Sequence, residues 1–292
     1  MKAKKYNLFI VIILGLLFIF CSRPGFSQED VENASKKESP VQAESIKKLF
    51  ELILKAWRDD DAQYLEKIEK ANGGLIKENK LETIQTCGSL LYIAVESELK
   101  GQKERGEFIL AAAIVPAKMY RDAVGSNYLM DKCALFGKWQ KEEKEKYLEA
   151  KKLYDQGEEL RKSYKYKEAV VCYDKGRMFY REIGYREGEA NCLHRLGEVR
   201  RMLDDLKSAG QHYRECLNIF RDIQDRAGEV NTLQSLGEMH KNLSEHEKAR
   251  EYYEQGLEIS RYLNAPLGEA NTLQSLGHMH WMLDENEKAR LR

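Results

Sequence analysis

Residues 228–237 read GEVNTLQSLG, and residues 268–277 read GEANTLQSLG, the same ten residues with one substitution and forty positions later. A single active site needs its residues once, whereas a surface made by stacking copies of one unit needs them repeatedly. The interval holds outward from this pair. Gly157, Gly197, Gly237 and Gly277 are each forty residues apart. Twelve residues after each comes Ala169, Ala209, Ala249 or Ala289, and four before each comes Leu153, Leu193, Leu233 or Leu273. Sixteen after the first three stand Tyr173, Tyr213 and Tyr253, and nineteen after stand the small residues Gly176, Cys216 and Gly256. Five columns in register are not a product of chance.

Helix pairing explains the columns. In the second unit Leu193, Leu196 and Val199 stripe one helix, and Asp204-Asp205 interrupts the pattern. Ala209, Tyr213, Cys216, Phe220 and Ile223 then stripe a second helix at spacings of four, three, four and three. Glycine inside a helix costs about 1 kcal/mol relative to alanine, so its return in every unit implies a packing need. The expectation is that glycine and alanine lie where two helices cross, a larger side chain forcing the axes beyond about 8–10 Å. The tyrosine fills space beside that crossing, with its hydroxyl expected at an edge.

Residues 190–220, ANCLHRLGEVRRMLDDLKSAGQHYRECLNIF, resemble the tetratricopeptide repeat (TPR) throughout. The unit of that family is about 34 residues long, and the longer interval here is similar to the variant found in bacterial regulatory proteins and kinesin-light-chain-like adaptors. The resemblance covers about residues 147–292. It is poorest in the first unit, where Gln156 stands in place of Leu196, Leu236 and Leu276. It implies an all-α fold, a right-handed α-solenoid of helix hairpins. Three full units and one incomplete unit would occupy residues 141–292, after an irregular helical region at 45–140 that forms a cap or a set of degenerate repeats.

The N-terminus reads differently. A basic MKAKKYN precedes thirteen apolar residues, LFIVIILGLLFIF. As a helix these span about 20 Å, short of a ~30 Å hydrocarbon core. Residues 1–27 therefore read as a secretory signal, with lipid attachment at Cys21 or an uncleaved anchor as alternatives. All three imply export, to the periplasm or beyond the cell. Phe20 is large where a lipid-attachment sequence wants a small residue. Residues 28–44 are polar and read as a disordered linker. Residues 45–57 then place Ile46, Leu49, Phe50, Ile53, Leu54 and Trp57 on one helix face. The pattern predicts a helix end at Asn72-Gly73-Gly74, another helix over 81–99, and a kink or end at Pro116.

Forty-eight basic and 48 acidic residues balance among 292, which argues against a nucleic-acid partner and leaves membrane contact to the N-terminal segment. None of the six cysteines has CxxC spacing, and loss of the signal leaves an odd five. They read as buried thiols, with disulfides among some of them left open. No GxSxG, GxxxxGK[ST] or HExxH motif occurs, so neither catalysis nor a cofactor is expected. His278 and His280 are two apart and point to different helix faces, unlike a zinc-binding i, i+4 pair.

Binding residues are those left over once the packing columns are assigned. In the resemblance, the first helix of each unit lines a concave groove. Asn191, Asn231 and Asn271 form one column there, His194, Gln234 and Gln274 the next. Glu198, Glu238 and His278 follow, then Arg201, Lys241 and Trp281. An asparagine amide both donates and accepts, so one per unit can grip the backbone of an extended peptide; the competing reading is that these asparagines solvate the first helical turn. Trp281 is an anchor for an apolar side chain, or a residue covered by further chain. The expected function is an exported or membrane-anchored, non-catalytic scaffold holding a protein or extended peptide. The alternative, by family analogy, is a regulatory arm of a longer protein ending in a caspase-like CHAT peptidase domain. The unfinished last unit, around Leu273, Leu276 and Trp281, adds self-association as a further expectation.

Overall fold

The computed structural model describes residues 43, 45–59 and 61–290, without the side chains of 58, 62 and 284–290. The expected signal, the linker up to residue 42 and the Ala289 side chain lie outside the described residues. Twelve α-helices and no strands occur among the described residues: α1 (Ile46–Arg58), α2 (Ala62–Glu78), α3 (Lys80–Leu99), α4 (Lys103–Val124), α5 (Tyr128–Lys138), α6 (Lys141–Lys162), α7 (Tyr166–Glu182), α8 (Arg186–Met202), α9 (Leu206–Asp222), α10 (Arg226–Asn242), α11 (His246–Tyr262) and α12 (Pro266–Arg290). None of them is long and apolar enough to cross a membrane. From α6 onward each helix packs on the next, and the hairpins α6–α7, α8–α9 and α10–α11 stack as an α-solenoid that α12 extends.

The turns repeat as the columns do. Tyr164, Asp204 and Ser244 take positive φ (61°, 62°, 58°) inside the three hairpins, and Gly184, Gln224 and Asn264 (71°, 60°, 53°) do so between units. One left-handed residue ends a helix and reverses the chain. Asp205 and Asp225 then cap α9 and α10, accepting from the amides of Ser208 (3.1 Å) and Gly228 (3.0 Å).

The glycine column has a sharper cause than a close crossing of backbones. A Cβ placed on Gly157, Gly197 or Gly237 would lie 2.6, 2.6 or 2.5 Å from Cε1 of Tyr173, Tyr213 or Tyr253. Each tyrosine ring occupies the volume that a side chain on the facing glycine would need, and all three rings are fully buried. The hydroxyls also depart from expectation. Tyr173 donates to Glu158 Oε1 (2.6 Å), but the Tyr213 and Tyr253 hydroxyls are buried beside Ser235 and Ser275 with no hydrogen bond of normal geometry among the described residues. A second glycine column works the same way: Gly188 and Gly228 face the rings of Tyr180 and Phe220. Leu193 and Leu233 are buried, whereas Leu273 on α12 is exposed.

Local signals before α6 are overruled by packing. The helix expected to end at Asn72-Gly73-Gly74 runs on to Glu78. Asn72 is buried, donating to the Ile68 carbonyl (2.9 Å) and accepting from the Ala43 amide (2.8 Å), so it knits the helix in place. Pro116 is buried inside α4 and does not end it; α4 stops at Gly125, φ 78°. The five described cysteines are buried free thiols.

Helices α1–α5 brace one edge of the array. Phe136, Trp139, Tyr147, Tyr180 and Tyr185 form a continuous aromatic cluster joining α5 to the first unit, and Trp139 Nε1 donates to the Ile183 carbonyl (3.2 Å). Further contacts fall on equivalent turns between units. Tyr128 donates to Glu187 (2.8 Å), Ser126 to Gln224 (3.1 Å) and Asn264 to the Glu78 carbonyl (3.0 Å), while Lys80 sits over the Tyr262 ring at 4.0 Å.

Candidate binding face

The first helices α8, α10 and α12 carry the candidate residues, and rungs between successive first helices, from α6 onward, decide which polar atoms remain free. Tyr154 accepts from Arg195 Nε at 2.9 Å, and His194 Nε2 meets Ser235 Oγ at 2.9 Å, each partner 41 residues on. Gln234 Nε2 donates to Thr272 Oγ1 at 2.8 Å. The His194–Gln234 column, expected to face a ligand, thus spends its polar atoms on the neighbouring unit. Burial, reinforced by Arg195, lowers the His194 pKa, which keeps the ring neutral at pH 7. Gln274, on α12, is exposed.

The next columns are partly committed as well. Glu198 accepts from Arg195 Nη1 (2.7 Å), and Arg201 approaches Glu238 (3.8 Å). Lys241 is half-buried; His278 and Trp281 are exposed, their rings 6.0 Å apart. The asparagine column differs from these. Asn191 is half-buried, Asn231 and Asn271 are exposed, and none of the three side-chain amides makes a hydrogen bond among the described residues. The cluster that sequence reasoning missed lies at the first unit. Arg195 pairs with Glu158 (3.0 Å), which also takes Arg161 (2.9 Å) and Tyr173. Burial pushes the Glu158 pKa up, but its bonds to Arg161 and Tyr173 and the Arg195 charge outweigh this and hold it low. Arg195 belongs to a position occupied elsewhere by Asp155, Ser235 and Ser275, so no repeated residue type announced it.

His240 serves packing, whereas His278 and His280 on α12 are exposed. His240 Nδ1 meets Glu245 at 2.6 Å, and its ring stacks on Tyr252 at 5.3 Å. Among the described residues no three His, Cys, Asp or Glu side chains are grouped to hold a metal.

Residues 111–266, from within α4 to the first residue of α12, match the family model described as soluble NSF attachment protein, SNAP. That is more than half of the chain. The chain belongs to the SNAP family. Membership in SNAP accords with the stacked hairpins: the repeat is of the tetratricopeptide type. No curated protein matches. Among solved structures, the crystal structure of BtubC (BKLC) from P. vanneervenii is similar at 17% identity and TM-score 0.47, covering 72% of this chain and 87% of that one. A structure from the functional characterization of Pseudomonas aeruginosa pilF is similar at 15% identity and TM-score 0.32, covering 69% of this chain and 93% of that one.

Proposed function

We propose that this SNAP-family chain is a non-catalytic scaffold that grips an extended segment of a partner protein along its first helices, through Asn191, Asn231 and Asn271. Support comes from the rungs: the neighbouring His194 and Gln234 spend their polar atoms within the scaffold, while three amides forty residues apart make no hydrogen bond among the described residues. An amide can bond a peptide carbonyl and N–H without reading side chains, so recognition would depend on backbone and tolerate varied sequence. The forty-residue unit suits this reading, being similar to the kinesin-light-chain-like variant. The apolar residues 8–20 make export, or anchoring at a membrane, part of the same proposal.

The experiment selects peptides from a displayed library of extended sequences and measures their affinity for the native protein and for a variant with all three asparagines changed to alanine. Alanine is the better helix former, so the variant is expected to fold. At roughly 0.5–1 kcal/mol per amide, the loss should be about 10- to 100-fold in Kd. Equal affinity for both proteins, or no peptide selected, would remove the proposal.

A further inference from the structure

Helix α12 docks on the array as α10 does. Its Leu276 and Met279 are buried against Ala249 and Tyr253 of α11, as Leu236 and Met239 are against Ala209 and Tyr213 of α9. The adjoining stripe differs. Leu193 and Leu233 are 1% and 0% exposed beneath the second helix of their own units, whereas Leu273 is 45% exposed, with Ala270 and Gly277 exposed beside it. In the inner units the chain reverses seven residues after the glycine, at Asp204 and Ser244, and a second helix then covers this stripe. Helix α12 instead runs through the equivalent residue 284 to Arg290. Gly157, Gly197 and Gly237 each face a tyrosine ring, but Gly277 has nothing within 4 Å of its would-be Cβ among the described residues.

We propose that the Ala270–Leu273–Gly277 face of α12 docks an amphipathic helix of a partner protein, one that puts an aromatic ring into the open slot at Gly277 and a small residue over Leu273. The inner units specify this occupant. Tyr173, Tyr213 and Tyr253 fill the slots at Gly157, Gly197 and Gly237. Three residues further on, Gly176 and Gly256 lie against Leu153 and Leu233, where an added Cβ would stand 3.7 and 3.8 Å from the leucine Cβ. A ring followed three positions later by a small residue puts both on one helix face, about one turn apart. Burial of Leu273 and of the incoming ring drives the association. Glycine inside a helix is costly, and at Gly277 no ring among the described residues offsets it. The site shares no residue with the asparagine column, so the two stand or fall separately.

The probe is a peptide with the 17-residue sequence of α11, His246–Tyr262, held helical by a cross-link between its solvent-facing positions 247 and 251 and followed by fluorescence anisotropy. The full chain should bind it saturably. Tyr253→Ala in the peptide should weaken binding by about tenfold or more. Gly277→Val in the chain occupies the slot and should weaken binding as much, with the urea midpoint unmoved. Leu273→Lys, at an exposed position, is the second variant and should do the same. The chain with Asn191, Asn231 and Asn271 changed to alanine should bind the peptide as the native chain does. No binding to the native chain, or unchanged affinity with the altered peptide, Gly277→Val or Leu273→Lys, would overturn the site. Loss of binding in the asparagine variant would put the peptide in the groove instead and would also overturn it. So would release of the peptide at high chain concentration with sedimentation as a dimer, which would give the face to a second copy.

Discussion

Gly197→Val should destabilise the protein by about 3 kcal/mol, read as a lower urea midpoint at an unchanged m-value. A Cβ there already lies 2.6 Å from Cε1 and 2.7 Å from Cδ1 of Tyr213. Valine adds two more methyl groups at the same spot. Tyr213 has no route of escape: it is fully buried, and its hydroxyl end sits beside Ser235. The slightly better helix propensity of valine offsets only a few tenths of a kcal/mol. Gly277 occupies the same position in α12, with nothing within 4 Å of its would-be Cβ among the described residues. Gly277→Val should therefore change stability little.

Lys132→Ala is the second large effect, about 3 kcal/mol at pH 7.5. The substitution leaves the largely buried Glu187 carboxylate without its counter-charge. Urea midpoints of the native protein and the variant read the loss. An ion pair on open surface, such as Lys100–Glu96, carries no such penalty, since water solvates whichever partner remains.

What the sequence made legible follows from what repeats. The glycine, alanine, leucine and tyrosine columns recur because each unit solves the same packing problem, so the hairpins and their turn at Asp204-Asp205 could be read from spacing alone. The meaning of the glycine column was half-read: smallness was clear, but its filling by Tyr173, Tyr213 and Tyr253 needed the side-chain positions. The rungs were invisible because their chemistry changes at each step, Tyr154 with Arg195, then His194 with Ser235, then Gln234 with Thr272. A column of unlike residues has no signature. Local rules failed at Asn72-Gly73-Gly74 and Pro116, where burial and long-range bonds outweigh the propensity of one or two residues. The brace could not be foreseen either, since Lys80 meets Tyr262 across 182 residues with no period to reveal it. Of the candidate face, exclusion from the packing columns points to Asn191, Asn231 and Asn271, whereas His194 and Gln234 share that spacing but bond across units to residues of no fixed type.

The claim beneath all of this is that each unit holds the ring of its second helix in a slot left open by the glycine of its first. A double-mutant cycle between Gly197→Val and Tyr213→Leu measures that contact directly. With the ring replaced by the shorter leucine, the cost of Gly197→Val should fall by about 2 kcal/mol, a coupling well outside the additivity of independent sites. The same cost in both backgrounds, within about 0.5 kcal/mol, would mean that glycine and ring do not meet and would contradict the packing of the whole array.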